Sequence, residues 1–121
     1  MVKYKAPLRE YEFILREVLG IEKELGSYPE YSEATWDMIE MISEQFGKIN
    51  EDYWLPSAKE GDELGVTFDD GKVIVPESMK KATNVVIEAG LTQLFGHQEY
   101  GGMEFPNVIN VLSDEMSCAS N

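Results

Sequence analysis

Apolar residues recur along the chain at spacings of three and four, and each such run predicts a helix. Leu8, Tyr11, Leu15 and Val18 form the first, widened by Ile14 and Leu19, with Arg9, Glu10, Arg16 and Glu17 on the opposite face. It is predicted over residues 8–19, opened by Pro7 and ended or bent at Gly20. Ile21 to Leu25 continues it briefly, and Gly26-Ser27-Tyr28-Pro29 reads as a loop. The longest run is Trp36, Ile39, Ile42, Phe46, Ile49 and Tyr53, with Glu40, Glu44, Lys48 and Glu51 between them, and it predicts a helix over 33–54. Ser32 is its expected N-cap, with Glu33 and Asp37 near its positive end. Gly47 inside this helix costs about 1 kcal/mol relative to alanine, which points either to a close helix crossing or to neutral variation. Pro56 is expected to end or kink the helix near Trp54.

From Ser57 to Leu64 the chain is charged and reads as a loop with some helical turn. Val66-Thr67-Phe68 and Val73-Ile74-Val75 flank a turn at Asp70-Gly71, the pattern of a short hairpin. A third helix is predicted over 77–89, burying Met79, Ala82, Val86 and Ala89 and stopped by Gly90. Leu91 to Phe95 is an apolar connector to Gly101-Gly102, where the backbone needs a positive φ or close approach to a neighbour. Pro106 then opens a helix over 106–119 with Ile109, Leu112, Met116 and Ala119 on one face. The expected fold is a single all-α domain over residues 1–121, with about four main helices and one short hairpin. An amphipathic helix that reaches the last residue suggests a domain cut from something larger.

Charge narrows the choice of partner. With 23 Asp and Glu against 10 Lys and Arg, the net charge is -13, and such a surface repels nucleic acid and anionic membrane. The hydrophobic fraction of 43% is too high for a disordered chain. The single cysteine, Cys118, allows no internal disulfide, no apolar segment follows Lys3 and Lys5, and no run approaches membrane-spanning length. The chain therefore reads as a soluble, acidic, cytoplasmic domain.

Chemistry-bearing residues are sparse. His97, the sole histidine, lacks metal-ligand spacing and a nearby cysteine, and it reads as a loop residue. No basic residue lies close in sequence to Cys118 to lower its pKa. Asp62, Glu63, Asp69 and Asp70 lack the alternation of a calcium loop and are better explained as a solvated charge run and a turn. Gly101-Gly102 lacks the glycine spacing and lysine of a P-loop. The residues predict no catalytic set and no metal site.

The opening Tyr4-Lys5-Ala6-Pro7-Leu8-Arg9, with Phe13 and Glu17-Val18-Leu19-Gly20, resembles the start of one acyl-CoA dehydrogenase subgroup, the 3-methylmercaptopropionyl-CoA dehydrogenase-like members. Pro56, Gly61-Asp62, Gly65, Asp70-Gly71, Glu88-Ala89-Gly90, Tyr100-Gly101-Gly102, Pro106 and Glu115-Met116 follow in the same order. This chain departs from the family pattern where it has Leu91 for tryptophan, Gln98 for proline and Glu104 for glycine.

The resemblance implies the N-terminal helical domain of an FAD-dependent enzyme that dehydrogenates acyl-CoA thioesters. It also implies that the middle β-domain and C-terminal helical domain, which supply most FAD contacts and the catalytic glutamate, lie outside these 121 residues. No cofactor is expected in this chain alone. Leu91, Phe95, Met103, Phe105, Ile109 and Leu112 are the expected pocket wall or domain interface, and with Leu94 they are expected to lose cover without the other domains. The expected partners are those domains if separately encoded, or a second copy in a homodimer through this region. A free-standing acidic interaction module that has lost the enzymatic domains is the alternative.

Overall fold

The computed structural model describes residues 3–121. Helix α1 (Leu8–Glu12) runs into a π-helical turn, Phe13–Val18, and α2 (Ile21–Gly26) follows. Helix α3 (Trp36–Ile49) runs into a second π-helical turn, Asn50–Trp54, and continues as α4 (Leu55–Leu64). Strands β1 (Thr67–Asp69) and β2 (Lys72–Ile74) form an antiparallel hairpin with Phe68 opposite Val73. Helices α5 (Glu77–Glu88) and α6 (Asn107–Ser120) complete a mainly helical domain, with the hairpin as the sheet content of the described residues.

Helix α3 lies at the centre and packs on α1, α5 and α6. Its stripe Ile39, Ile42, Phe46 and Ile49 meets Ile109, Leu112 and Met116 of α6 in one core, which also takes Tyr11 of α1, Leu15 of the π-helical turn after it, and Leu91 and Leu94. Gly47 answers to a close approach. A Cβ there would lie 2.7 Å from that of Ala6, in the lead-in segment that crosses α3. That segment is held by Glu51, whose Oε1 accepts the Ala6 N–H at 3.0 Å.

Several expectations give way to the geometry. Thr35, not Ser32, caps α3: its Oγ1 accepts the Met38 N–H at 3.4 Å, because the 3-10 turn Pro29–Tyr31 holds the residues after it back from the helix. Pro56 does not end the helix. The ladder widens to a π-helical turn just before it, which makes room for the ring against the carbonyl of Asp52. Residues 57–64 are consequently helix rather than loop.

Val18, Ile14 and Leu19 are exposed rather than buried. A π-helical turn takes more residues per revolution, so the three-and-four register slides off the core after Leu15. At the other end of the chain Ser120 replaces Ala119 on the buried face of α6.

Candidate functional site

The loop between α5 and α6 carries the glycine pair, and its two ends are tied together. Met103 N donates to Gln93 O at 2.9 Å, Glu104 N to Gly96 O at 3.0 Å and Phe105 N to Leu94 O at 2.7 Å. The two glycines are needed for different reasons. Gly101 has φ of 82°, in the left-handed region. A Cβ on Gly102 would fall onto the carbonyl of Gly96, so the loop closes only if that residue has no side chain.

Glu104 is the surprise of this loop. It holds φ of 51°, which disfavours a residue with a Cβ. Its Oε1 lies 2.9 Å from His97 Nε2, and His97 Nδ1 accepts the Glu99 N–H at 3.2 Å. With Nδ1 accepting, the neutral ring carries its proton on Nε2 and donates it to Glu104. The tautomer is thus set by the loop's own backbone.

His97 and Glu104 border a shallow cleft of about 460 Å³, with Glu30 and Tyr31 on one side and Phe95, Phe105 and Asn107 on the other. Its wall carries three aromatic side chains, Tyr31, Phe95 and Phe105, and two carboxylates, Glu30 and Glu104. A smaller cleft of about 150 Å³ between α1 and α3 is floored by Leu15, Tyr11 and Trp36 and rimmed by Arg9, Glu12, Glu40 and Glu44. Ser43 lines the smaller cleft with Glu40 and Glu44, but its hydroxyl bonds neither carboxylate. Among the described residues no three His, Cys, Asp or Glu side chains are placed to hold a metal ion. Cys118 is exposed on α6, Asp62 and Glu63 lie on α4, and Asp69 and Asp70 lie at the hairpin turn.

The apolar residues expected to form a pocket wall are placed unequally. Leu91, Leu94, Phe105, Ile109 and Leu112 are buried in the chain's own core, Phe95 is half-buried and Met103 is exposed. Phe95 and Phe105 reach the larger cleft. The His97–Glu104 pair and the contributions of Glu30, Tyr31 and Asn107 were not foreseen. The one trace of the pair in the sequence is Glu104 at a position where the resemblance expects glycine, since a tolerated strain implies a compensating contact.

No family model matches the chain. Curated acyl-CoA dehydrogenases do match it, over most of its length. A 3-methylmercaptopropionyl-CoA dehydrogenase of Ruegeria pomeroyi is 29% identical over 93% of this chain and 19% of the relative. A broad-specificity linear acyl-CoA dehydrogenase of Mycobacterium tuberculosis is 32% identical over 90% of this chain and 18% of the relative. A butyryl-CoA dehydrogenase of Syntrophomonas wolfei is 35% identical over 82% of this chain and 17% of the relative. The chain therefore resembles a short part of acyl-CoA dehydrogenases and spans less than a fifth of the length of these curated relatives.

Proposed function

We propose that the chain is the N-terminal helical domain of an acyl-CoA dehydrogenase-like flavoprotein, packing beside the flavin and acyl pocket and helping to exclude water from it. The similarity to these dehydrogenases over 82 to 93% of the chain carries this reading. The loop around Gly101 and Gly102 supports it, because its closure depends on the glycines through which the resemblance runs. The activity of the whole enzyme would be the α,β-dehydrogenation of an acyl-CoA thioester.

Flavin does not fit the larger cleft of this chain. The larger cleft is bordered by Glu30 and Glu104 and has no lysine or arginine on its wall, so it would repel the pyrophosphate of a flavin dinucleotide. The aromatic side of the same cleft, Tyr31, Phe95 and Phe105, suits an apolar group. FAD and the catalytic base then belong to other parts of the enzyme, and the chain by itself is inactive. Purified alone it should show no flavin absorbance and no acyl-CoA-dependent reduction of an electron acceptor; a yellow preparation would overturn that reading.

A free-standing acidic interaction module is the second reading, favoured by the net charge of -13. The DNA following the codon for Asn121 separates the two. A continuing or adjacent frame for the missing domains supports the enzyme, and its absence supports the module. A homodimer through the α5–α6 loop has Met103 and part of Phe95 to work with, since their apolar neighbours are buried. No helix is long and apolar enough to cross a membrane among the described residues.

A further inference from the structure

The β1–β2 hairpin has a face that nothing in the described chain covers. Thr67 pairs with Ile74, Phe68 with Val73 and Asp69 with Lys72. Side chains alternate between the faces of a strand, so Phe68 and Val73 share one face, and Val66, two residues before Phe68, lies on it too. Thr67, Asp69, Lys72 and Ile74 take the other. The first face is entirely apolar, yet Val66, Phe68 and Val73 are 59, 74 and 66% exposed. Leu64, at the end of α4, is exposed as well. Neither strand has more than glancing contact with a helix. A two-stranded hairpin is marginal alone in water, and an uncovered apolar strand is a liability that folded chains hide.

Two occupants can be weighed. A second copy would bring Asp69 and Asp70 against their like, on chains that each carry a net charge of -13. The few hundred Å² of this face also falls short of the roughly 800 Å² per partner that a stable interface takes. A larger body meets neither objection. The chain spans 17 to 19% of its relatives' length, so the remainder of such an enzyme is big enough to cover the hairpin along with other exposed positions.

We propose that the apolar face of the hairpin, Val66, Phe68 and Val73, is where this chain docks on the remainder of an acyl-CoA dehydrogenase polypeptide. The proposal rests on the function proposed above.

The test uses a chimera in which the matched segment of the Syntrophomonas wolfei butyryl-CoA dehydrogenase is exchanged for this chain. Amide exchange of the hairpin is expected to slow on the order of tenfold or more in the chimera relative to the chain alone. Replacing Phe68→Ser and Val73→Ser together should return the hairpin amides to the fast rate while α3 and α6 stay protected. A folded, flavin-bearing chimera whose hairpin exchanges as fast as in the isolated chain would overturn the docking face and leave the family reading standing. An isolated chain that sediments as a dimer with its hairpin already protected would overturn it in favour of a second copy. A chimera that neither folds nor binds flavin would count against the family reading, and this proposal would fall with it.

Discussion

The Ser120 hydroxyl donates to Asn50 Oδ1 at 2.7 Å, joining the end of α6 to the π-helical turn after α3 across 70 positions of sequence. Both residues are buried, and Asn50 Nδ2 also donates to the Phe46 carbonyl at 2.9 Å. Just beyond, Asn121 Nδ2 donates to the Trp54 carbonyl and to Ser57 Oγ, each at 3.0 Å. A π-helical turn leaves backbone carbonyls poorly matched, and these side chains supply some of the donors that the ladder does not. The turn exists to admit Pro56, so the proline and the last residues of α6 form one arrangement.

Replacing Asn50→Ala should destabilise the chain by about 1–3 kcal/mol, because it removes two buried hydrogen bonds and leaves the Ser120 hydroxyl only the Ser117 carbonyl at 3.2 Å. Ser120→Ala alone should cost less, since the Asn50 amide keeps its bond to Phe46. Urea unfolding of both single variants and the double variant checks this. The double variant should lose less than the sum of the two.

Gly102→Ala should cost more than about 2 kcal/mol or prevent the loop from closing, because the new methyl meets backbone that cannot swing aside. Gly101→Ala meets no neighbour and bears only the left-handed conformation, about 1 kcal/mol. Thermal melts of the two should rank them in that order.

At Glu104 the strain and the hydrogen bond from His97 oppose each other. The pair with His97 is largely solvent-exposed and contributes about 0–1 kcal/mol, while the left-handed backbone costs about 1 kcal/mol. Glu104→Gly should therefore leave stability unchanged or raise it. Glu104→Gln keeps the strain and loses the charge, so it should melt below the parent.

Burial first, and then the negative charge of Glu115, raises the Tyr11 pKa well above the ordinary tyrosine value, and Tyr4 is raised in the same way with Glu51 adding to it. The sign follows from linkage. Both phenols hold their protons more tightly in the folded chain than in the unfolded one. Stability is therefore full below about pH 10 and falls as pH rises beyond it. A spectrophotometric titration should show these two tyrosines ionising only as the helical signal is lost. The Tyr11 hydroxyl lies near the Glu115 carboxylate but not in hydrogen-bonding geometry with it, so Tyr11→Phe should hold stability or raise it and move alkaline unfolding to higher pH.

Much of this architecture was legible in the spacing of apolar residues. The stripes of α3, α5 and α6 and the turn at Asp70-Gly71 lie close to their predicted places, although in α5 only Ala82 of the stripe is fully buried. The π-helical turns were not legible. They change the register within one helix, so Val18 faces solvent and Pro56 is accommodated, and no three-and-four count detects that.

At the candidate site the glycine pair could be read from the sequence because its cause is local. The His97–Glu104 contact could not, because it exists only once the loop has closed. Ile109 and Leu112 were expected to lose cover without the other domains, and instead α3 buries them within this chain.

The function proposed for this chain, serving an acyl-CoA dehydrogenase body that carries the flavin, can be read from flavin content. The most direct measurement is the flavin content of the chimera with the Syntrophomonas wolfei enzyme beside that of the chain alone. The account predicts a yellow chimera that dehydrogenates an acyl-CoA thioester and a colourless, folded isolated chain. A colourless chimera, or a chain that binds flavin by itself, would contradict it.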